Sequence, residues 1–215
     1  MSVITFSREP CSNGTLIAQS VAEKLGYRLA TKKLIEEVLL QYGFVDVEEA
    51  YDSMPNFWTR FDDRTHQIVI MFDRVIKALA KLGNVVIIGR GAFRVLAPYR
   101  DVLNVRIKSP FPYRVATFMS RYNVLDQHDA EVAILEADRI RSAFLEVHYG
   151  IKWDSMTNFD LVLDTSKIPP RSAIPIIIKA NKAVLSTVCE PRESASSIDV
   201  DDILLEATRR VIENN

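Results

Sequence analysis

Short apolar runs alternate with longer amphipathic stretches along most of the chain. Val3-Ile4-Thr5-Phe6 is β-prone and is followed by a polar turn, Ser7-Arg8-Glu9-Pro10-Cys11-Ser12-Asn13-Gly14. Leu16, Ile17, Ser20 and Val21 then recur at three- and four-residue spacing, which predicts a helix ended by Gly26 as its C-cap. Strand, turn and helix in this order open an α/β unit. A short second strand is read at 27–30, then helices at 33–42 and 64–81. Residues 46–61 between those helices are acidic and aromatic, with Pro55, Phe57 and Trp58, and fit no regular element.

Val85-Val86-Ile87-Ile88 is apolar without alternation, as in a strand covered on both faces of a parallel sheet. Gly89-Arg90-Gly91 follows it. Further strands are read at 102–107 and 160–165, and helices at 112–122, 129–149 and 170–184; Pro170 suits a first turn, and Pro175 leaves that helix's start open. Residues 185–197 are largely polar and read as a linker, and 198–215 as a C-terminal amphipathic helix. No internal repeat occurs. The fold class expected is α/β: an open parallel sheet of about five strands with helices on both faces, since a barrel usually needs about 250 residues.

Composition narrows the function. The chain has 215 residues, 48% hydrophobic and 26% charged, as in a protein with a buried core. Its formal net charge of -1 argues against a domain built to neutralise nucleic-acid backbones. Two cysteines, Cys11 and Cys189, make neither a disulfide framework nor a four-thiolate metal site. His66, His128 and His148 lack metal-ligand spacing. No apolar run is long enough to span a membrane, and the N-terminus lacks a signal-peptide pattern, so a cytoplasmic location is expected.

Three features carry candidate chemistry. First, the turn after the opening strand meets a helix start, where free N–H groups and the helix dipole suit a phosphate. Against the phosphate-loop pattern G-x-x-x-x-G-K-[ST], Arg8 stands at the first glycine, Asn13 at the second, Gly14 at the lysine and Thr15 at the hydroxyl. Only the hydroxyl is kept, and the pattern alone equally describes a polar loop with Ser12 or Asn13 as N-cap. Second, Arg90 sits at a strand's carboxyl end, where it either grips an anion or pairs with a local carboxylate. Third, Arg106, Arg114, Arg121, Arg139 and Arg141 crowd the second half, and Asp138 shares a helix face with Arg141; a solvated, salt-bridged face is the plainer account of them. Cys11 lies in the anion loop, where a helix start lowers a thiol pKa, although simple packing is the plainer account.

Taken in order, these pieces resemble the cytidylate-kinase-like proteins, a nucleoside monophosphate kinase branch of the phosphate-binding-loop NTPases. The resemblance rests on Ile4-Thr5-Phe6-Ser7-Arg8-Glu9, Ser12-Asn13-Gly14, Ala22–Tyr27, Val86–Gly91, Arg114, Asp138–Arg141, Tyr149–Trp153 and Phe159–Ser166. It implies a core over 1–184, an acceptor-binding region at 31–80 and a helical lid at 123–154. It also implies ATP, Mg²⁺ and CMP or a similar monophosphate. By position, Arg8, Cys11, Ser12, Asn13, Gly14 and Thr15 would wrap the donor phosphates, with Thr15 as a Mg²⁺ contact. Arg90 and Arg114 would hold the acceptor phosphate. Arg139 and Arg141 would close on the transferring group, oriented by Asp138.

The chain also departs from that pattern. True cytidylate kinases resemble it with a lysine in place of Gly14, an acidic residue in place of Ser7 and an aspartate in place of Ile88, and relatives of this branch usually have glycines where Cys11 and Asn13 stand. Phosphoryl transfer is mostly positioning and charge neutralisation, so these changes remove expected catalytic parts, some of whose charge Arg8 would replace. A non-catalytic nucleotide or anion sensor on the same fold is therefore the competing expectation. An interaction scaffold built on 46–61 and the C-terminal helix is the third. A dinucleotide oxidoreductase is disfavoured, because no G-x-G-x-x-G follows the first strand. Expected partners are nucleotides as small-molecule ligands, not nucleic acid or a membrane. The C-terminal helix packs either back on the domain or onto a second copy in a homodimer.

Overall fold

A computed structural model describes residues 2–44, 63–187 and 190–214. Five strands, β1 (Val3–Arg8), β2 (Arg28–Ala30), β3 (Val85–Ile88), β4 (Val102–Lys108) and β5 (Leu161–Asp164), form one sheet in the order β2-β3-β1-β4-β5. Every pairing is parallel. Among the described residues the helices are α1 (Gly14–Leu25), α2 (Lys32–Gln41), α3 (Asp63–Leu82), α4 (Ala92–Val95), α5 (Phe111–Tyr122), α6 (Gln127–Tyr149), α7 (Pro170–Ser186) and α8 (Asp202–Asn214). None is long and apolar enough to cross a membrane.

The sheet is buried on both faces because its strands are apolar at successive positions. Val3, Val85, Ile87 and Val102 face a cluster that includes Ile35, Val38, Phe72, Val75 and Leu204, from α2, α3 and α8. Ile4, Phe6, Val86, Ile88 and Val105 face the other way, toward Ile17, Val21, Ala173 and Ile177 of α1 and α7. Helices α5 and α6 form a third small cluster around Val115, Ala130 and Ile134. The chain leaves central β1 for one edge, returns through β3, then crosses to β4, so the two halves of the sheet diverge beside β1. In open α/β sheets that divergence opens a crevice at the strands' carboxyl ends.

Differences from the pattern-based reading lie in ends and connections. Helix α6 starts at Gln127 because the Asp126 carboxylate accepts the N–H groups of His128 (2.7 Å) and Asp129 (3.2 Å). Helix α7 runs through Pro175 without ending. The stretch before the last helix is not slack: 191–193 and 195–197 are 3₁₀ turns. The Asp101 carboxylate anchors them, accepting from the Ser194 hydroxyl (2.6 Å) and the Ala195 N–H (2.8 Å). Helix α8 begins at Asp202, later than read, and packs back against α2 and α3, burying Leu204, Ala207, Val211 and Ile212. The acidic-aromatic 46–61 segment, with Phe57 and Trp58, and Cys189 lie outside the described residues.

Candidate phosphate-binding site

The crevice is built first by the turn between β1 and α1. Cys11 (φ 58°) and Asn13 (φ 61°) both adopt the left-handed conformation. This region costs most side chains about 1–2 kcal/mol, and asparagine tolerates it better than most. The turn is held by Ser12, whose hydroxyl donates to the Glu9 carbonyl (2.8 Å). The Thr165 hydroxyl in turn donates to the Ser12 carbonyl (2.7 Å). The first intrahelical bond runs from the Ile17 N–H to the Asn13 carbonyl, so the amides of Gly14, Thr15 and Leu16 have no partner within the helix. Asn13 does not cap them; its side-chain oxygen accepts from Arg121 (2.8 Å).

Two cavities flank this turn. The larger, about 540 Å³, is lined by Arg8, Arg90, Arg141, Lys32, Phe93 and Trp153 among others. The second, about 500 Å³, lies along Cys11, Asn13, Gly14, Arg121 and Tyr122. Arg8, Thr15 and Arg141 line both, and so form the wall between them. Both volumes suit a small ligand.

Arg8 is the centre of this wall. Burial, reinforced by Arg141, Arg90 and Arg106, pushes its guanidinium down to about 10. Among the described residues no carboxylate offsets that shift. Its side chain fills the ground that a loop side chain would need: a Cβ on Gly14 would fall 2.5 Å from the Arg8 Cβ and 3.2 Å from the Ile107 Cβ. A Cβ on Gly89 would fall 2.6 Å from the Arg8 Nη1. Gly89, Arg90 and Gly91 all have positive φ, a sharp turn that suits glycine and swings Arg90 to the cavity. Arg141 is pushed down by burial and by Arg90, with Asp138 acting the other way.

The carboxylates nearby are committed elsewhere. Glu9 accepts from the Ser109 N–H (2.9 Å) and pairs with Arg106 (3.4 Å) and Arg114 (3.6 Å). Asp138 takes two bonds from the Arg114 guanidinium (3.0 and 2.8 Å). Arg114 is buried in this network and lines neither cavity, which differs from the acceptor-phosphate position that the resemblance implies. Asp138 therefore positions α6 against α5. Arg141 donates to the Ala137 carbonyl (2.7 Å) of its own helix. Arg139 is exposed and pairs with Glu136 (3.1 Å), away from the wall. Burial raises the Cys11 thiol, with Arg121, Arg114 and Arg141 acting the other way.

Three residues have parts to play here that the sequence reading did not assign them. Arg106, 1% exposed, donates to the Ser7 hydroxyl (2.7 Å) and lies 4.3 Å from the Trp153 ring centroid. A charge inside the apolar run of β4 was the available signal. Tyr149, at the end of α6, donates to Asp73 of α3 (2.6 Å). A Cβ on Gly91 would meet the Tyr149 ring at 2.5 Å, so the glycine admits this docking. Trp153 closes the larger cavity, which no periodicity could foretell.

The donor set can be tested against Mg²⁺, which takes six oxygens at near-octahedral geometry, usually one or two carboxylates with phosphates and water. Thr15 offers one hydroxyl to the dividing wall. Among the described residues the larger cavity is lined by no carboxylate and the smaller only by the committed Glu9. No group of three or more metal-ligating side chains occurs among them either. These residues do not fit a protein-held Mg²⁺.

The model of the cytidylate kinase-like family matches residues 3–167. A cytidylate kinase of Pyrobaculum neutrophilum is 31% identical over 180 residues, covering 82% of this chain and 90% of the relative. One of Ignicoccus hospitalis is 28% identical, covering 82% and 97%. Among solved structures, an uncharacterized protein from Eubacterium ventriosum superposes with a TM-score of 0.68 at 22% identity, covering 85% of this chain and 99% of that one. Shikimate kinase from Bacteroides thetaiotaomicron gives 0.50 at 14% identity, covering 86% and 99%. These two likenesses show a shared fold.

Proposed function

The chain belongs to the cytidylate kinase-like family, and we propose that it transfers a phosphoryl group from ATP to a nucleoside monophosphate or a related small anion. The carrying observation is the wall of Arg8, Thr15 and Arg141 shared by two cavities. A group passing between donor and acceptor must sit at such a wall. In this reading the donor phosphates lie over the open amides of Gly14, Thr15 and Leu16, and the acceptor fills the larger cavity beside Arg90 and Trp153. An acceptor phosphate oxygen attacks the terminal phosphorus of ATP in line; the bond to the β-phosphate oxygen breaks and ADP leaves. The guanidinium groups neutralise charge on the moving group, which is the main demand of this chemistry.

Residues 1–184 then form the kinase core, with 31–80 the acceptor-binding region and 123–154 the lid, and α6 carries Arg141 as the lid's contribution. Nucleotides are the small-molecule partners, and the cytoplasm is where they are met. The family implies ATP and Mg²⁺; no step above runs through a metal held by the protein.

The test is ADP release from ATP by the purified chain with each nucleoside monophosphate in turn, with and without Mg²⁺. Turnover with at least one acceptor, well above ATP alone, is expected. A folded protein that binds nucleotide and turns over none of them contradicts the enzyme reading. It would favour the second one, a nucleotide sensor, for which Gly14 and the committed carboxylates speak.

A further inference from the structure

We infer that this site holds its phosphate chain on guanidinium groups, Arg8 foremost, and takes the polyphosphate without a metal ion bound to the protein. The inference rests on the nucleotide reading above and deepens it, by naming the ionic form of the ligand.

Four cationic side chains, Arg8, Lys32, Arg90 and Arg141, line the larger cavity, and no carboxylate among the described residues lines it with them. The acids close by are spent on Arg106 and Arg114, and Lys32 pairs with Glu36 of its own helix at 3.6 Å. Holding several cations together in a confined space is unfavourable unless an anion joins them. A phosphate chain supplies that anion, and guanidinium forks match its oxygens two at a time. A phosphate-loop lysine works from the helix start. Here its position is Gly14, and the space a side chain would need there is taken by the stem of Arg8. The charge has moved from the first turn of the helix to the last residue of the strand. With it the metal's share of neutralisation has passed to Arg90 and Arg141. A Mg²⁺ complex of the nucleotide has less charge to offer these groups than the free nucleotide has.

The experiment is calorimetric titration of the full chain with ATP and with inorganic tripolyphosphate, once in excess EDTA and once in excess Mg²⁺. Binding in EDTA is expected to be at least as tight as in Mg²⁺, for both probes. Arg8→Met should weaken tripolyphosphate binding tenfold or more. Its thermal midpoint should equal or exceed that of the native chain, because an uncompensated buried charge is gone; a merely structural arginine would lower it. Arg8→Lys should keep part of the binding. Binding that appears only with Mg²⁺, or an Arg8→Met chain that binds as the native one does, overturns the inference while leaving the nucleotide reading intact. Absence of binding in both conditions overturns the two together. Should Arg8→Met not fold, Arg141→Met on the outer helix decides: tenfold weaker binding in EDTA supports the inference, and unchanged binding overturns it.

Discussion

Position 14 shows how one missing Cβ sets the chemistry of a loop. Gly14 lies against the Arg8 stem and Ile107, so any side chain there must displace one of them. Ile107 is fully buried in β4, and the Arg8 Cβ is fixed to the β1 backbone, so neither gives way cheaply. Gly14→Ala should therefore lose about 1–3 kcal/mol of stability, the usual range for overpacking. The same change in an Arg8→Gly background, which removes the Cβ it would meet, should cost much less, and a denaturation cycle over the four proteins measures that coupling. Additive losses would show that the two side chains do not compete. By the same contact, Gly14→Lys, the residue of true cytidylate kinases in the resemblance, must push aside the Arg8 stem and with it β1. Sequence comparison located this position but not its consequence. The pattern showed which residues were missing, whereas the occupation of their space by Arg8 is a matter of side-chain volume. Cys11 and Asn13 teach the same lesson: two family glycines are gone, yet both replacements keep the left-handed backbone.

At the scale of elements, α6 is the piece that completes the site, and two partly buried contacts dock it. Arg114 joins Asp138 to α5, and Asp73 joins Tyr149 to α3. Asp73 is costly to keep ionised, since burial raises its carboxyl above the ordinary 3.8 even with the Tyr149 hydroxyl bonded to it. Between that ordinary value and its raised one, the folded state holds more protons than the unfolded state. Stability therefore falls as pH rises through that window and is flat above it. Asp73→Asn keeps an acceptor for the tyrosine and removes the buried charge. We expect it to be at least as stable as the native chain at pH 7, with a flatter stability curve in acid. Tyr149→Phe should lose about 1 kcal/mol, the worth of a typical hydrogen bond. Unfolding curves at several pH values check both, and an Asp73→Asn chain weaker at pH 7 than at pH 4 would contradict the assignment. The elements themselves were legible: β3 was read at 85–88 because an unbroken apolar run has few other uses. The tie between Tyr149 and Asp73 was not, because it joins residues 76 positions apart with no periodic signal.

For the whole molecule, the sheet order puts β1 between β3 and β4, and with it the loop, the Gly89-Arg90-Gly91 turn and α6 meet in one crevice. The alternation of apolar runs with amphipathic stretches announced a parallel sheet, and the order of local motifs announced the family. Neither could say how the last segment sits. Helix α8 covers α2 and α3, with Leu204 1% exposed, so it completes the core of the same chain. Nor could they foresee that Arg114 would be absorbed into an internal ion pair while Arg106, read only as one of a crowd of arginines, lies 1% exposed. Charge networks depend on which distant acids meet which arginines, and that follows from topology rather than from spacing.

The central claim is that the wall of Arg8, Thr15 and Arg141 is where a phosphate chain rests. A crystal structure of the chain grown with a non-hydrolysable ATP analogue and CMP tests it most directly. The account predicts phosphate oxygens within hydrogen-bonding distance of the Arg8 and Arg141 guanidinium groups and of the Thr15 hydroxyl, with the monophosphate beside Arg90. A nucleotide bound elsewhere, with Arg8 still touching only protein, would contradict it.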